Sequence, residues 1–560
     1  MHFKLNPCAL AVTSLFLVAC SGGKGSFDLE DVQPNKTTGM SKEEYKDVET
    51  AKKEKEQLGE LMEPALGYVV KVPVSQNGVR RTEISNLEAI TDEDLNKIPN
   101  HDIIKDVAYQ NYGELVDKTA AKKMTYVRSG YAIDVFHYGT RDKGYVFYKG
   151  ITPSKELPQG PVLTYQGEWD FVSDINIDRE TDGFNDSGNG KNVSATSITE
   201  DVNRDHEIGK KLGENEVKGV AHSSEFAVDF DNKKLTGNLY RNGYVSRNTA
   251  QEITKRYSIE ADITGNRFRG KAKAEKADDP IFTDSDYLEG GFYGPKAEEM
   301  AGKFFTNNKY LFAVFAAKSE NGETTTERII DATKIDLTQF NAKELNNFGD
   351  ASVLIIDGQK MDLAGVDFKN SKTVEINGKT MVAVACCSNL EYMKFGQLWQ
   401  QAEGEKAKDN SLFLQAERTA TDKMPKGGNY KYIGTWDAQV SKENNWVATA
   451  DDDRKAGYRT EFDVDFGNKN LSGKLFDKNG VNPVFTVDAK INGNGFTGKA
   501  KTSDAGFALD SGSSRYDNVK FSDVAVNGGF YGPTAAELGG QFFHKSDNGS
   551  VGAFLVQNDR

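Results

Sequence analysis

Cysteine is scarce in this 560-residue chain, with only four residues, and two of them, Cys8 and Cys20, lie near the N-terminus. The rest of the chain holds only the adjacent pair Cys386 and Cys387. Neighbouring cysteines cannot join distant segments, so hydrophobic cores and β-ladders must hold the fold together. The pair either closes a ring between its two members or, as we favour, consists of one packed thiol and one exposed thiol.

The sequence also lacks motifs for metal binding and catalysis. Six histidines are present, and none stands at a spacing that would bring several of them onto one metal ion. We found no phosphate-binding loop, no nucleophile elbow and no Cys-x-x-Cys motif. Asp174, Asn176 and Asp178 resemble the start of a calcium loop, but Arg179 occupies the position that needs glycine. We therefore expect no metal site, no catalytic residues and no bound cofactor.

Length and charge narrow the class of protein further. A chain of this length exceeds one hydrophobic core, so several domains are expected. Hydrophobic residues make up 37%, and together with the 54 glycines they reach a share that is typical of a folded protein. The formal net charge of −14 disfavours binding to nucleic acid and to anionic lipid.

The N-terminus has the pattern of an export signal. Lys4 precedes an apolar run, Cys8–Ala19, that is too short to span a bilayer, and no later run is long enough to do so. The run ends in Leu-Val-Ala followed by Cys20, which resembles a bacterial lipobox, so Cys20 is the predicted site of a covalent lipid anchor. The alternative is an ordinary cleaved signal with an incidental cysteine.

Two halves of the chain repeat each other. Residues 259–273 match 487–501 at nine of fifteen positions, and 290–305 match 528–543 at eleven of sixteen. A Tyr-x-Gly-x-Trp-Asp motif at 165–170 recurs at 432–437. These matches keep the same order along the chain, so they indicate a duplicated domain.

The repeated segments have the periodicity of β-strands. Phe226, Val228 and Phe230 alternate with polar residues, and 462–466 repeats the pattern, which predicts strands with one buried face. Turn residues follow at about ten-residue spacing, as in a closed antiparallel barrel. Trp169 and Trp436 are expected in the barrel cores. We also predict one helical turn in each repeat, over 297–302 and 535–540.

These motifs resemble those of the transferrin-binding protein B family. The resemblance rests on the lipobox, the Gly-rich tether after it, and two lobes that each carry Tyr-x-Gly-x-Trp-Asp and Gly-Gly-Phe-Tyr-Gly-Pro. It implies a mainly β, bilobed fold, in which each lobe has a sheet-rich handle domain and an eight-stranded antiparallel β-barrel. It also implies a lipid-anchored protein of the outer membrane that captures iron-loaded host transferrin at the cell surface. In this family the N-lobe of the lipoprotein makes the main contact, to the transferrin C-lobe. The captured transferrin would pass to a TonB-dependent transporter, transferrin-binding protein A.

The expected domain boundaries follow from the repeat and the resemblance. They are a signal peptide at 1–19, a lipidated tether at 20–64, the first handle at 65–160, the first barrel at 161–320, the second handle at 321–427 and the second barrel at 428–560.

The candidate partner-binding residues lie in the first lobe. Between the Trp-Asp motif and the next repeated strand this lobe has more than twice as many residues as the second lobe, and recognition commonly resides in such loops. Aromatic and arginine side chains dominate binding energy at interfaces. The candidates on that basis are Phe171, Arg179, Tyr109, Tyr112 and Tyr138. Phe171 is equally consistent with a core residue at the barrel rim, and Arg179 with a solvated charge.

Three other functions stay open. The closest is binding of lactoferrin or another host protein, although the longest acidic run of the second lobe is only Asp451–Asp453. Another is a barrel that carries a small ligand, which bulky inward residues such as Phe226 and Phe268 disfavour. The last is a surface hydrolase, for which no carboxylate pair stands out.

Overall fold

The structure is a computed structural model of the chain. It describes residues 67–72, 87–90, 109–111, 114–116, 124–133, 144–150, 152–173, 222–243, 251–276, 279, 282–308, 311–320, 325–345, 347, 351–356, 359–367, 370–376, 378–386, 390–401, 408–450, 458–509 and 518–557. The predicted lipid site Cys20 lies outside these residues.

The first handle consists of short antiparallel strands that precede the first barrel. They are β1 Gly67–Val72, β2 Leu87–Ile90, β3 Tyr109–Asn111, β4 Glu114–Val116, β5 Val127–Ile133 and β6 Gly144–Gly150. Four of them form a sheet in the order β2-β1-β6-β5, and β3 pairs with β4. The β5–β6 pair lies directly ahead of this barrel in the chain.

The first barrel follows a short strand, β7 Glu156–Pro158. Its strands are β8 Leu163–Ser173, β9 His222–Asp229, β10 Lys234–Asn242, β11 Ile253–Thr264, β12 Arg267–Ala274, β13 Ser285–Tyr293, β14 Glu299–Phe305 and β15 Leu311–Ser319. Each strand pairs with its sequence neighbours, and β15 pairs with β8 to close the barrel.

The second handle is larger than the described part of the first. After β16 Thr326–Arg328, its strands are β17 Ile330–Asp336, β18 Asn341–Glu344, β19 Val353–Ile356, β20 Gln359–Asp362, β21 Lys372–Ile376, β22 Lys379–Cys386, β23 Met393–Gln400 and β24 Lys408–Glu417. Six of them form a sheet in the order β18-β17-β24-β23-β22-β21, and β19 pairs with β20. A single 3-10 turn, Thr421–Lys423, leads on to the second barrel.

The second barrel repeats the first, with additions at one end. Its strands are β25 Asn429–Ser441, β26 Asn445–Ala448, β27 Arg459–Asp465, β28 Asn470–Phe476, β29 Pro483–Asn492, β30 Gly495–Lys501, β31 Phe507–Ala508, β32 Asn518–Val519, β33 Val524–Tyr531, β34 Glu537–His544 and β35 Ser550–Gln557. Pairing of β25 with β35 closes the eight-stranded barrel, while β26 extends β25 and β31 pairs with β32. The predicted fold class is confirmed.

Alternation of apolar and polar residues explains how these strands line the barrels. In β9 and just after it, Phe226, Val228 and Phe230 are buried while Glu225 and Ala227 are exposed. The matching residues Phe462, Val464 and Phe466 are also buried, as are both tryptophans of the repeated motif. The aromatic rings meet inside the barrel, for example Phe226 and Phe315, whose centroids lie 5.1 Å apart.

The two most similar motifs of the repeat contact each other within each lobe. The Tyr165 hydroxyl donates to the Ala297 carbonyl at 2.5 Å, and the Tyr432 hydroxyl donates to the Ala535 carbonyl at 2.8 Å. Both alanines have positive φ, 57° and 59°, in the turn after Gly-Pro. A buried tyrosine hydroxyl thus satisfies a carbonyl of a strained turn. The hydrogen bond ties the first strand of each barrel to the turn between its sixth and seventh strands.

The prediction of a helical turn in each repeat is wrong. Residues 299–305 and 537–544 are the strands β14 and β34, each hydrogen-bonded to a neighbour on both sides. Pairing on both sides and burial of the side chains outweigh the favourable helix propensity of the Ala-x-Glu segments.

Cys386 also differs from our expectation: it is disulfide-bonded, and its partner lies outside the described residues.

The two lobes meet at a junction near the short strands. β7 pairs with β16, so the entry to the first barrel is joined to its exit. The Lys155 ammonium lies 3.0 Å from the Glu344 carboxylate of the second handle. Asn266, in a turn of the first barrel, donates to the carbonyls of Ser154 at 2.6 Å and Asn347 at 3.1 Å.

Each handle is fixed to its barrel by the same glutamate of the repeat. Glu299 accepts the backbone N–H groups of Thr125 at 2.6 Å and Tyr126 at 2.7 Å. Glu537 accepts those of Glu391 at 2.5 Å and Tyr392 at 3.1 Å. Burial raises the pKa of Glu537 to about 7, although the two N–H groups act in the opposite direction.

The raised pKa of Glu537 predicts a pH-dependent stability. Between its ordinary value of 4.5 and about 7, the folded state binds more protons at this site than the unfolded state. The contribution is therefore largest at low pH and is lost as the pH rises through 7. Glu537→Gln should remove this dependence, so the free energy of unfolding of wild type relative to the variant should fall by up to ~3 kcal/mol across the window.

Denaturant unfolding at a series of pH values measures this difference. Asp463→Asn, a change at an exposed carboxyl of the same barrel, serves as the control and should leave the pH profile close to that of wild type. A Glu537→Gln profile parallel to wild type between pH 4.5 and 7 would contradict the assignment.

Candidate partner-binding surface on the first barrel

The antiparallel order of the first barrel gathers four of its connections at one end. They join β8 to β9, β10 to β11, β12 to β13, and β14 to β15. We call this the distal end, because the hydrogen bonds from the handle to Glu299 are made at the opposite end. The long segment of the first lobe, 174–221, joins β8 to β9 here and lies outside the described residues.

Beneath the distal end the barrel is filled by aromatic side chains. The Phe171 ring stacks on Trp169 with centroids 5.0 Å apart and meets His222 and Phe282 edge-on at 5.4 Å and 5.5 Å. The Tyr257 ring lies 6.1 Å from Phe282 and 4.8 Å from Phe304. These rings form a closely packed floor at the distal end of the barrel.

Carboxylate side chains shape the connection between β12 and β13. The Asp284 carboxylate accepts the Ala274 N–H at 2.8 Å, and Asp279 accepts the Phe282 N–H at 3.0 Å. The Arg256 guanidinium lies over the Phe282 ring, 4.7 Å from its centroid. Short acidic side chains commonly close turns in this way, so the described residues of this connection are held by hydrogen bonds.

The structure places Phe171 in the interior and not on the surface. Its side chain is only 1% exposed and belongs to the main core cluster of the barrel. Of the two interpretations open from the sequence, the core residue at the barrel rim fits this position. Its contact with a partner stays a prediction, made for a ring that lies in the core beneath the distal end.

The other predicted contacts are not brought together by the described part of the chain. Arg179, Tyr112 and Tyr138 lie outside it, and of Tyr109 only the backbone, in β3, is described. Their role in binding stays a prediction.

An exposed apolar residue at the distal end was missed by the sequence reasoning. Ile253, at the start of β11, is 47% exposed. Simple alternation would place it on the inward face with Tyr257 and Ile259. The register with β10 shifts between Leu239 and Tyr240, so Ile253 leaves the inward face beyond that bulge. An exposed apolar side chain beside long connections is suited to protein contacts.

Comparison with known proteins identifies the family. A model described as the N-lobe handle of Tf-binding protein B matches residues 44–154, and one described as its C-lobe handle matches 327–419. A third, described as the C-lobe and N-lobe barrels of Tf-binding protein B, matches twice, at 157–319 and 424–556. The chain belongs to the transferrin-binding protein B family.

Individual family members are similar over nearly their whole length. Transferrin-binding protein B of Neisseria meningitidis serogroup B is 35% identical over 96% of this chain and 95% of its own length. The protein of that name from Haemophilus influenzae strain Rd is 33% identical over 97% and 94%. A solved variant of the Haemophilus parasuis protein is 66% identical, with a TM-score of 0.74 over 91% of this chain and 98% of the other.

Membership of the family agrees with the observed architecture. The two barrel matches correspond to the two closed barrels, which contain both copies of the repeated motifs. The resemblance to transferrin-binding protein B is thus confirmed.

Burial of Phe171 changes what its removal is expected to do. Phe171→Ala would leave a cavity beside the rings of Trp169, His222 and Phe282 and should lower the free energy of unfolding by about 3–5 kcal/mol. Thermal or denaturant unfolding measures the effect. Ile253→Ala, at an exposed site of the same end, is the matched control and should change stability by less than about 0.5 kcal/mol. Equal unfolding of Phe171→Ala and wild type would show that the ring is not part of the core.

Proposed function

We propose that this chain is a surface lipoprotein that captures iron-loaded host transferrin and delivers it to a transporter for iron acquisition. The observation that carries the proposal is membership, over both lobes, of a family whose relatives are named transferrin-binding protein B. In this proposal Cys20 carries the lipid, the outer membrane is the site of attachment, and the TonB-dependent transporter transferrin-binding protein A receives the cargo. The protein itself performs no catalysis and needs no cofactor.

The binding surface proposed is the distal end of the first barrel. The support is its combination of long connections, a filled aromatic floor and the exposed Ile253. A rigid floor reduces the conformational entropy lost on binding, because the scaffold is already ordered. The transferrin C-lobe is the part of the partner that we expect to meet this surface.

Selectivity for iron requires a difference in binding between two forms of transferrin. The first lobe must fit the iron-loaded form better than the iron-free form, and the preference equals the difference between the two binding free energies. No iron ligand from this chain is required, since the iron state would be sensed through the shape of the partner.

A barrel that carries a small ligand is the less favoured function. Phe226, Phe268 and Phe315 meet inside the first barrel, with Phe268 and Phe315 centroids 6.1 Å apart. Rings at this spacing occupy the volume that a lipocalin-like ligand would need. Binding of lactoferrin or another host protein in place of transferrin is tested by the capture experiment below.

Capture of purified transferrin by the immobilised protein tests the proposal. Iron-loaded transferrin should bind with a lower Kd than iron-free transferrin, because only the iron-loaded form would present the complementary surface. Lactoferrin in a parallel capture should bind weakly. Equal capture of both forms of transferrin, or capture of neither, would reject the mechanism.

A variant pair locates the surface. Ile253→Glu should raise the Kd for iron-loaded transferrin about tenfold or more, because the new charge would be desolvated at the interface. Val481→Glu makes the same change at the corresponding end of the second barrel, where Val481 is 76% exposed, and should bind like wild type. Surface plasmon resonance measures both. Weaker binding by Val481→Glu alone would move the site to the second lobe.

A further inference from the structure

The two lobes differ at three matched positions between handle and barrel. In the first lobe these positions are Arg267, Glu289 and Lys303, and all three side chains are buried. The Lys303 ammonium lies 3.0 Å from the Glu289 carboxylate, and the Arg267 guanidinium lies 4.0 Å from it. The space between the first handle and the first barrel is thus filled by an ionic cluster.

In the second lobe the same positions carry small or neutral residues. Gly495 stands in place of Arg267, Asn527 in place of Glu289, and Gln541 in place of Lys303. All three line a cleft of about 350 Å³ between the second handle and the second barrel. The volume lies within the range of small-molecule sites. The exchange of large charged side chains for smaller neutral ones therefore coincides with an open space.

Arginines of the second handle form the other wall of this cleft. Arg328 and Arg418 both pair with Asp331, at 2.7 Å and 2.5 Å, and the Tyr531 hydroxyl donates to the same carboxylate at 2.8 Å. Burial opposes ionisation of Asp331, but the two guanidiniums hold the pKa of its carboxyl far below its usual range. Asp331 therefore stays charged and fixes both arginines. The Arg418 side chain is 8% exposed.

The charges around the cleft do not balance. Glu344 pairs with Arg328 at 2.9 Å and with Lys155 at 3.0 Å, and Lys343 also lines the cleft. Among the described residues that line the cleft, three cations, Arg328, Arg418 and Lys343, thus face two carboxylates, Asp331 and Glu344, in a chain whose net charge is −14. A local excess of positive charge against the sign of the whole chain is suited to an anion.

Neutral hydrogen-bonding groups complete the cleft. The Thr333 hydroxyl donates to the Gln541 side-chain carbonyl at 3.0 Å, which orients the Gln541 amide nitrogen as a donor. Asn527 is exposed at the mouth.

Gly529 has no Cβ, and an added Cβ would collide with the Arg418 guanidinium, so this glycine of the repeated motif makes room for the arginine.

We propose that the cleft between the second handle and the second barrel binds a small anion bearing carboxylate or phosphate groups. Arg328 and Arg418 supply the charge, since a guanidinium recognises both kinds of oxyanion. Gln541 and Asn527 supply neutral hydrogen bonds. The first lobe lacks the equivalent site because its own Glu289 carboxylate occupies the corresponding place between Arg267 and Lys303.

Calorimetric titration of the whole protein with citrate and, separately, with inorganic phosphate tests this site. Ionic strength is held constant with sodium chloride so that general screening does not contribute. We expect saturable binding of one anion per chain. Citrate alone would identify a carboxylate site and phosphate alone a phosphate site, and either supports the proposal. Absence of saturable binding by both would overturn it.

Three variants assign the binding to the cleft. Asn527→Asp places a carboxylate at the mouth without a change in shape, and Arg328→Gln removes one cation; each should raise the Kd about tenfold or more. Asn479→Asp, the same charge change in the exposed connection between β28 and β29 at the opposite end of the barrel, should leave the Kd unchanged. Binding unaffected by both Asn527→Asp and Arg328→Gln would overturn the proposal.

Discussion

Closure of each barrel around a filled aromatic interior is the constraint on which the rest of the molecule depends. Every barrel strand pairs on both sides, so the sheet leaves no edge for addition of another strand. The interior is occupied by rings such as Phe226, Phe268 and Phe315. With both edge and interior used, recognition falls to the outer surface of the barrels, including their ends and their junctions with the handles.

The duplication separates residues that build the scaffold from residues that specialise it. Tyr165 and Tyr432 make the same hydrogen bond, and Glu299 and Glu537 make the same attachment to a handle. Where the copies differ, the consequences are local. The first lobe has a longer connection at its distal end, and the second has neutral residues where the first has buried charges.

How much of this the sequence could predict depends on how local the signal is. Alternation at 226–230 and the recurrence of whole motifs are local patterns, so the strands, the barrels and the family were predicted correctly. The segments after Gly-Pro were predicted as helical because their strand partners, distant in sequence, decide their structure. The exposure of Ile253 depends on a bulge, and the burial of Phe171 depends on Phe282 across the barrel, neither of which a pattern within one strand reveals. The cleft required comparison of the two copies in three dimensions.

We propose that a rigid scaffold, used twice, recognises its partner through the distal end of its first copy. Hydrogen–deuterium exchange of the protein, measured with and without iron-loaded transferrin, locates the binding surface. We expect slower exchange for backbone amides near the distal end, around 243–253 and 282–285, and no change in the strands of the second barrel. Protection confined to the second lobe, or to the opposite end of the first barrel, would contradict it.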